Sequence, residues 1–162
     1  MIHDQVLTDI TILYTGADSL LNKRHELVQL VNDTKPLIIG IAEVKPKNCV
    51  TPLQESELNL NEFECYSSLF GRRGVLLYIH KSMEALEITS EKEQYKDSIW
   101  CIVILNKNDK LLVGCVYRSP SSTADEDECL NRVIREASEY KASHKLIIGD
   151  FNHPEIDWHI QT

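Results

Sequence analysis

The sequence predicts an α/β fold in which strands and helices pack in layers. Two apolar runs have the length of strands buried on both faces, and they end on the carboxylates Glu43 and Asp150. Two amphipathic segments have helical spacing, and further short apolar runs predict antiparallel strands. Strands mixed with two covering helices are typical of a layered α/β architecture.

The first elements are a strand, a helix and a second strand. Residues 10–14 have the pattern of a strand, and apolar residues then recur at helical spacing behind Ser19, a candidate helix cap. We expect this helix to end near Thr34, because Pro36 disfavours the helical conformation in the residue before it. The apolar run 37–43 follows as the first buried strand.

The middle of the chain predicts a long loop and several antiparallel strands. Residues 44–62 contain prolines and many polar groups, which indicates a surface loop, and long loops in small domains are usually functional. The strands that follow are predicted over 63–68, 74–80, 99–105 and 110–117, with a hairpin through 106–109.

The last elements are a well-marked helix and a second buried strand. The helix is expected over 123–141, because Thr123 and Glu126 form a capping box and four consecutive acids lie at the positive end of the helix dipole. The run 145–149 is then a strand that ends on Asp150.

Length, charge and composition exclude several classes of protein. The 162 residues suit one domain, and no apolar run approaches the roughly 18 residues of a membrane span. The N-terminus lacks the basic and apolar regions of a signal peptide. The net charge of −8 argues against binding nucleic acid through composition alone, although a local basic groove or a bound cation would still allow it.

The cysteines indicate an intracellular protein, either cytoplasmic or nuclear. Their number, five, is odd, and no two have the C-x-x-C spacing, so neither a disulfide framework nor a zinc site is expected. Cys101, Cys115 and Cys129 have apolar neighbours, where a reduced cysteine acts as a small hydrophobic residue.

Glu43 and Asp150 have the positions that point most directly to chemistry. Each follows a buried strand, and Asn152 lies two residues after Asp150. Ligands of α/β sheets collect at the carboxyl ends of strands, so two such ends side by side would bring these oxygens together. Two carboxylates and an amide oxygen suit Mg²⁺ or Mn²⁺. The alternative is that the two acids only cap their strands and bond loop amides.

Several segments resemble one family. The segment GDFNHPEIDW (149–158) resembles the G-D-F-N-x-P-x-I-D-W element of the endonuclease/exonuclease/phosphatase superfamily, in the branch found in non-LTR retrotransposons. Other segments resemble the same branch in the expected order, namely ILYTGADSLLNKRHEL (12–27), IIGIAEVKPKN (38–48), RRGVLLYIHKSM (72–83) and VYRSPSS (116–122). The resemblance implies a four-layer α/β sandwich of two packed sheets with helices outside. It also implies divalent-metal-dependent hydrolysis of DNA phosphodiesters.

The resemblance implies roles for individual residues. Glu43 matches the glutamate that binds the metal, and Asp150 the aspartate that orients or activates the attacking water. Asn152 matches the asparagine that contacts the scissile phosphate and the metal. Tyr117 matches a tyrosine near the phosphate, or it only closes the core, and Arg118 follows it as in the retrotransposon branch. In such a site Mg²⁺ neutralises charge that develops on the phosphate while a carboxylate positions water.

Four basic residues near these motifs have both a functional and a structural interpretation. Lys45 and Lys47 lie on the loop after Glu43, where they contact substrate or are ordinary surface lysines. Arg72 and Arg73 contact DNA or form a solvated turn.

Two departures from the family pattern bear on activity. The family usually has an asparagine near the metal where this chain has Gly16, which offers no side-chain oxygen. The superfamily's domain also ends in an S-D-H element that supplies a catalytic histidine and aspartate, and no match follows the GDFN element here. Residues 1–162 are therefore expected to be the N-terminal portion of such a domain, without its C-terminal half.

These departures leave two functions open. One is a Mg²⁺-dependent DNA endonuclease of retrotransposon origin that is impaired in this chain. The other is a truncated, non-catalytic relic with at most weak metal or nucleic-acid binding. In both cases the strand near 146–149 is expected to have an exposed apolar edge or face, which favours self-association.

Overall fold

The computed structural model describes residues 9–89, 94–156 and 159, which form two mixed sheets and two covering helices. The strands are β1 (Ile12–Gly16), β2 (Ile38–Ala42), β3 (Phe63–Ser68), β4 (Val75–His80), β5 (Glu84–Glu87), β6 (Ser98–Ile104), β7 (Lys110–Tyr117) and β8 (His144–Asp150). The helices are α1 (Leu20–Thr34) and α2 (Ala124–Glu139), with a 3₁₀ turn at Glu55–Leu58. The first sheet has the order β1-β2-β4-β3 and the second the order β5-β6-β7-β8.

Three apolar clusters give the molecule four layers. The central cluster fills the space between the sheets, with Ile38 and Leu77 from the first sheet and Val113 from the second. Leu27 belongs to a cluster that packs α1 on the outer face of the first sheet. Leu130 belongs to a third cluster, which packs α2 on the outer face of the second sheet. The four-layer α/β sandwich is therefore confirmed.

Burial on both faces explains the continuous apolar run of β2. Ile38 faces the central cluster whereas Ile39 and Ile41 face α1, and every residue of the strand is buried. β8 crosses β2 closely at Gly40, where an added Cβ would lie 2.4 Å from Ile148 Cδ1. This contact joins the strand that precedes Glu43 to the strand that ends at Asp150.

Strand directions bring several carboxyl ends to one end of the sandwich. β1 and β2 are parallel, with Gly16 opposite Ala42, and β7 and β8 are parallel, with Tyr117 opposite Asp150. Residues that follow these four strands therefore lie where ligands of α/β sheets collect.

Most of the predicted elements are present, and two details of the first ones differ. The strand predicted at 10–14 lies at Ile12–Gly16, because parallel pairing with β2 fixes its register. The prediction that Ser19 caps α1 is wrong. Ser19 occupies the N-cap position, but its φ of 83° is not that of a capping residue, and its side chain makes no capping bond. Its backbone N–H donates to the Glu43 C=O, directly after β2. The helix ends at Thr34, as predicted.

The sequence did not predict β5, whereas it predicted α2 well. Glu84–Glu87 is short and mostly exposed, and it becomes a strand because it pairs with β6. In α2 the capping box of Thr123 and Glu126 is present, with three acids in the first turn.

β1 and β8 are neighbouring open edges of the sandwich. Each pairs with one strand only among the described residues, and most of their residues are half-buried. Unpaired backbone groups at such edges can pair with another chain. Self-association through 146–149 stays a prediction.

Three smaller features bear on the sequence predictions. Cys101 and Cys115 are buried in the central cluster, as expected of small hydrophobic residues. No helix among the described residues is long and apolar enough to cross a membrane. The last two residues of the GDFNHPEIDW segment, 157–158, lie outside the described residues.

Candidate active site

The candidate site lies at the end of the sandwich where β1, β2, β7 and β8 finish. Glu43 directly follows β2, Asp18 lies two residues after β1, and Tyr117 and Asp150 are the last residues of β7 and β8. Burial raises the pKa of Tyr117, and the negative charges of Glu43 and Asp150 raise it further. The two carboxylates therefore act on one buried phenol although they belong to different sheets.

Backbone hydrogen bonds hold three loops of this site together. The Ser19 N–H donates to the Glu43 C=O at 2.9 Å, which joins the β1–α1 loop to the end of β2. The Lys45 N–H donates to the Arg73 C=O at 2.7 Å, which joins the same segment to the β3–β4 loop. Glu43 thus lies between two loops that distant parts of the sequence supply.

Four residues of the site have a left-handed backbone. Asp18, Ser19, Glu43 and Asn152 have φ angles of 44°, 83°, 55° and 41°. Asparagine and aspartate tolerate this region, whereas for a residue such as glutamate it costs roughly 1–2 kcal/mol. Strained residues persist where the surrounding structure holds them, and they cluster at functional sites. This strain supports a functional interpretation of the loop ends.

Arg73 joins two acidic side chains of the site. Its Nη1 lies 2.7 Å from Glu43 Oε2, and its Nη2 pairs with Asp18 Oδ1. Its Nε donates to the Lys45 C=O at 3.0 Å. The Arg73 side chain is 8% exposed, so the guanidinium is a buried cation between two carboxylates.

Asp97 fixes the loop that carries Arg73. Its buried carboxylate accepts the backbone N–H groups of Arg72 at 2.7 Å, Arg73 at 3.3 Å and Gly74 at 2.9 Å. Gly71 allows this approach, since an added Cβ would lie 2.1 Å from the Asp97 carboxyl carbon. The position of Arg73 is therefore set by a residue that directly precedes β6 of the second sheet.

The two lysines predicted to contact substrate occupy different positions. Lys45 is half-buried, and its ammonium donates to two carbonyls of the β3–β4 loop at 2.9 and 2.6 Å. Lys47 is exposed near Asp18. The hydrogen bond from Arg73 lowers the pKa of Asp18, and the charge of Lys47 adds to this lowering. Lys45 thus holds a loop, while Lys47 lies at the rim of the site.

Arg118 and Asn152 are bonded to each other at the end of the second sheet. Arg118 forms a bidentate pair with Asp127 of α2, with Nε–Oδ1 and Nη2–Oδ2 distances of 2.8 Å. Its Nη1 donates to the Asn152 C=O at 2.6 Å, and Asn152 Nδ2 donates to the Arg118 C=O at 2.8 Å. Arg118 therefore holds the loop after β8, and its contact with substrate stays a prediction.

Asp150 and Gly149 shape the turn from β8 into that loop. Asp150 Oδ1 accepts the Asn152 N–H at 3.1 Å, so one oxygen bonds a loop amide, as the structural interpretation of the sequence expects. The same carboxylate also raises the pKa of Tyr117. Gly149 has a φ of 152°, and an added Cβ would lie 1.9 Å from the Val116 carbonyl oxygen, so only glycine fits this position.

The structure corrects the interpretation of Arg72 and Arg73, and it shows that Asp18 also belongs to the site. Arg73 is not a solvated turn residue, because it is buried between Glu43 and Asp18. Arg72 is partly exposed and pairs with Glu126 of α2 at 3.0 Å. Sequence reasoning missed Asp18, although it comes shortly after the end of a strand just as Glu43 does, and that shared position is the signal that could have found it.

The donor chemistry of Glu43 and Asp18 fits a hard divalent cation. Both carboxylates converge on one cationic group, and Mg²⁺ typically binds one or two carboxylates together with water and phosphate oxygens. The Asp18 side chain is 60% exposed, so water reaches this side of the pair. Within 9–89, 94–156 and 159, no cluster of three or more His, Cys, Asp or Glu residues is placed to hold a metal.

Comparison with known proteins shows similarity in fold. No family model matches the sequence. No curated protein sequence matches it either. The endonuclease domain of TRAS1, a telomere-specific non-LTR retrotransposon, superimposes with a TM-score of 0.66 and 12% identity, over 90% of this chain and 62% of that chain.

Two other solved structures have comparable similarity. An AP endonuclease from Archaeoglobus fulgidus has a TM-score of 0.64 and 18% identity, over 89% of this chain and 58% of its own. The 3′ phosphatase NExo from Neisseria, bound to a product DNA hairpin, has a TM-score of 0.62 and 16% identity, over 92% of this chain and 60% of its own. The fold that the sequence motifs imply is confirmed, and the chain spans 58–62% of the length of these three structures.

Proposed function

We propose that this chain, which has the fold of the endonuclease/exonuclease/phosphatase superfamily, hydrolyses phosphodiester bonds of DNA with Mg²⁺ or Mn²⁺ as cofactor. The observation that carries the proposal is that β2, β7 and β8 end at the same end of the sandwich, so that Glu43, Tyr117 and Asp150 lie there, with the Asn152 N–H bonded to Asp150. These positions match the family's metal ligand, water-orienting aspartate and phosphate-contacting asparagine.

The similar structures support DNA as the substrate class. Two of them are endonucleases, and the third is a phosphatase bound to a DNA hairpin. The finer proposal is a retrotransposon endonuclease, which the YRSP segment and the similarity to the TRAS1 domain support. Residues 1–162 would correspond to the N-terminal portion of that fold, in line with the partial coverage of the similar structures.

Glu43 and Asp18 would hold the cation through oxygens that now face Arg73. A bound divalent cation would neutralise charge that develops on the phosphate. Asp150 would orient the attacking water through Oδ2, since Oδ1 bonds the loop amide of Asn152.

Asn152 and Tyr117 would position the phosphate. Asn152 is held by its two bonds with Arg118, which fixes the loop before substrate binds. The Tyr117 hydroxyl stays protonated at neutral pH because burial raises its pKa, so it can donate a hydrogen bond. Lys47, exposed at the rim, would attract the DNA backbone.

A second candidate is a non-catalytic protein that binds metal or nucleic acid weakly. The pairing of Arg73 and Arg118 favours it, because both guanidinium groups bond carboxylates of the protein. Charges used in this way contribute little to phosphate affinity, which depends on Lys and Arg that neutralise phosphates.

Nicking of a supercoiled plasmid in Mg²⁺ tests the proposal. We expect the wild-type chain to convert the plasmid to open circles, and we expect Asp150→Ala and Glu43→Gln to be at least about 100-fold slower, because each loses a group that acts on water or cation. Asp33→Ala is the matched control, since Asp33 is an exposed acid at the far end of α1. Nicking by none of the proteins, or equal nicking by wild type and Asp150→Ala, would favour the non-catalytic candidate.

We further propose that the open edges at β1 and β8 support self-association. Sedimentation velocity over a range of protein concentrations measures it, and we expect the mean sedimentation coefficient to rise with concentration. A coefficient that stays at the monomer value would contradict this proposal without affecting the one on hydrolysis.

A further inference from the structure

We infer that Arg73 is a resident counter-ion of the Glu43–Asp18 pair and that it competes with a divalent cation for these two carboxylates. The inference rests on the proposed function, because it concerns the same metal site. Its basis is the position of the guanidinium, which bonds Glu43 Oε2 at 2.7 Å through Nη1 and Asp18 Oδ1 through Nη2.

Charge explains why Arg73 and a metal ion oppose each other. Two carboxylates and one guanidinium leave a single net negative charge, whereas the two carboxylates alone would balance a divalent ion. A metal ion beside the guanidinium would be repelled at short range in a partly buried site, where such interactions are stronger than in water. A metal ion bound through Glu43 Oε2 and Asp18 Oδ1 would also need the two oxygens that Arg73 bonds.

Arg73 is held in place by burial and by hydrogen bonds to the protein backbone and to Asp97. Its side chain is 8% exposed, its Nε bonds the Lys45 C=O, and its backbone N–H bonds Asp97. Metal binding through Glu43 Oε2 and Asp18 Oδ1 therefore requires the guanidinium to leave a set of bonds that the protein supplies. We expect weak metal affinity in the wild-type chain for this reason.

Arg72 provides a matched control from the same loop. It carries the same charge, but it pairs with Glu126 of α2 and its side chain is 44% exposed. Removing Arg72 changes the net charge of the chain as much as removing Arg73 does. Of these two arginines, Arg73 is the one that contacts Glu43 and Asp18.

Mn²⁺ titration of wild type, Arg73→Met and Arg72→Met, followed by electron paramagnetic resonance, tests the inference. We expect Arg73→Met to bind Mn²⁺ about tenfold or more tighter than wild type, because the repulsion and the competition are both removed. We expect Arg72→Met to match wild type. The melting temperature of Arg73→Met should fall without metal and rise more steeply with Mn²⁺ than that of wild type.

A measurement on the wild-type chain covers the case in which Arg73→Met does not fold. The Arg73 Nε–H gives its own signal in ¹⁵N-labelled protein, and its bond to the Lys45 C=O slows exchange with water. We expect Mg²⁺ to shift this signal and speed its exchange as the site fills. Saturation with Mg²⁺ that leaves the signal unchanged would overturn the inference.

The outcomes separate the inference from the proposed function. Equal Mn²⁺ affinity in wild type and Arg73→Met overturns the inference and leaves the metal site standing. Absence of Mn²⁺ binding in all three proteins overturns both. Tighter binding in Arg73→Met, together with no plasmid nicking by any protein, supports the inference and overturns the hydrolase proposal.

Discussion

Two buried arginines, Arg73 and Arg118, lie at the ends of the two sheets and have similar local chemistry. Their side chains are 8% and 9% exposed, and each pairs with a carboxylate while also bonding the backbone carbonyl of a neighbouring loop. The two arginines differ in the carboxylate with which each forms its ion pair. Arg118 pairs with Asp127 of α2, whereas Arg73 pairs with Glu43 in the candidate site itself.

This difference shows that a buried arginine near a site can act in opposite ways. The Arg118 guanidinium pairs with Asp127 of α2 and donates to the Asn152 C=O, so it holds the loop after β8. Arg73 forms ion pairs with Glu43 and Asp18, and so reduces the negative charge that these acids present to a cation. An arginine that pairs with a helix carboxylate supports the site, whereas one that pairs with a carboxylate of the site itself competes with a cation.

Asp97→Ala is expected to have the largest effect, because it releases the Arg73 loop and leaves the Arg118 pair intact. Three backbone N–H groups would lose their acceptor, which should lower the free energy of unfolding by about 3 kcal/mol. Urea denaturation followed by tryptophan fluorescence measures this loss. A loss no greater than that of the exposed-site control Asp33→Ala would show that the loop does not depend on Asp97.

The pH dependence of stability tests the Arg118 pair. Hydrogen bonds from Arg118 and then from Ser122 lower the pKa of Asp127 from 3.8 to about 2. The folded state favours the charged carboxylate, so the pair stabilises the fold above the unfolded pKa of 3.8, and this contribution is lost as the pH falls towards about 2. The urea midpoints of wild type and Asp127→Asn should therefore differ most near neutral pH and converge in acid.

Asp125→Asn serves as the control for this pH experiment, because Asp125 is an exposed acid in the same first turn of α2. Its profile should run parallel to that of wild type. A constant difference between Asp127→Asn and wild type at every pH would contradict the expected role of the Arg118 pair.

The sequence predicted those elements that have a local signature, such as a continuous apolar run or a capping box. β2 was found because burial on both faces produces a continuous apolar run, and α2 because its capping box is local. β8 was found from its apolar run, but the buried strand predicted there is a half-buried edge strand. β5 was not found, because Glu84–Glu87 is a strand only through its pairing with β6.

The sequence predicted which acidic residues lie at strand ends in the site. It did not predict the side-chain contacts of the site. Glu43 and Asp150 follow apolar strands, so their positions were readable from the sequence. The contact between Arg73 and Asp18 spans 55 residues and depends on a loop that Asp97 holds from the other sheet. Spacing within one element does not encode such a contact, so the sequence left Arg73 as either a DNA contact or a solvated turn residue.

Gly16→Asn has the smallest expected effect. It changes the site beside Glu43, which Arg73 contacts, and leaves the Arg118 pair untouched. An added Cβ at Gly16 would lie 3.5 Å from Glu43 Oε1, which is an ordinary contact, so a side chain fits there. The asparagine oxygen would offer a further ligand beside Glu43. We expect Mn²⁺ affinity to rise about threefold to tenfold, as one additional polar contact would give. Isothermal titration calorimetry measures the change.

Gly16→Ala separates the new ligand from the change in backbone freedom, because alanine adds the Cβ without an oxygen. The double variant of Gly16→Asn and Arg73→Met measures how the two changes are coupled, because both act beside Glu43 and on the same ion, so their gains are not expected to add simply. Equal affinity of the Asn and Ala variants would place the ion away from Gly16, on the Asp18 side of Glu43. In that case the glycine would not account for weak metal binding, and Arg73 would remain as the residue that does.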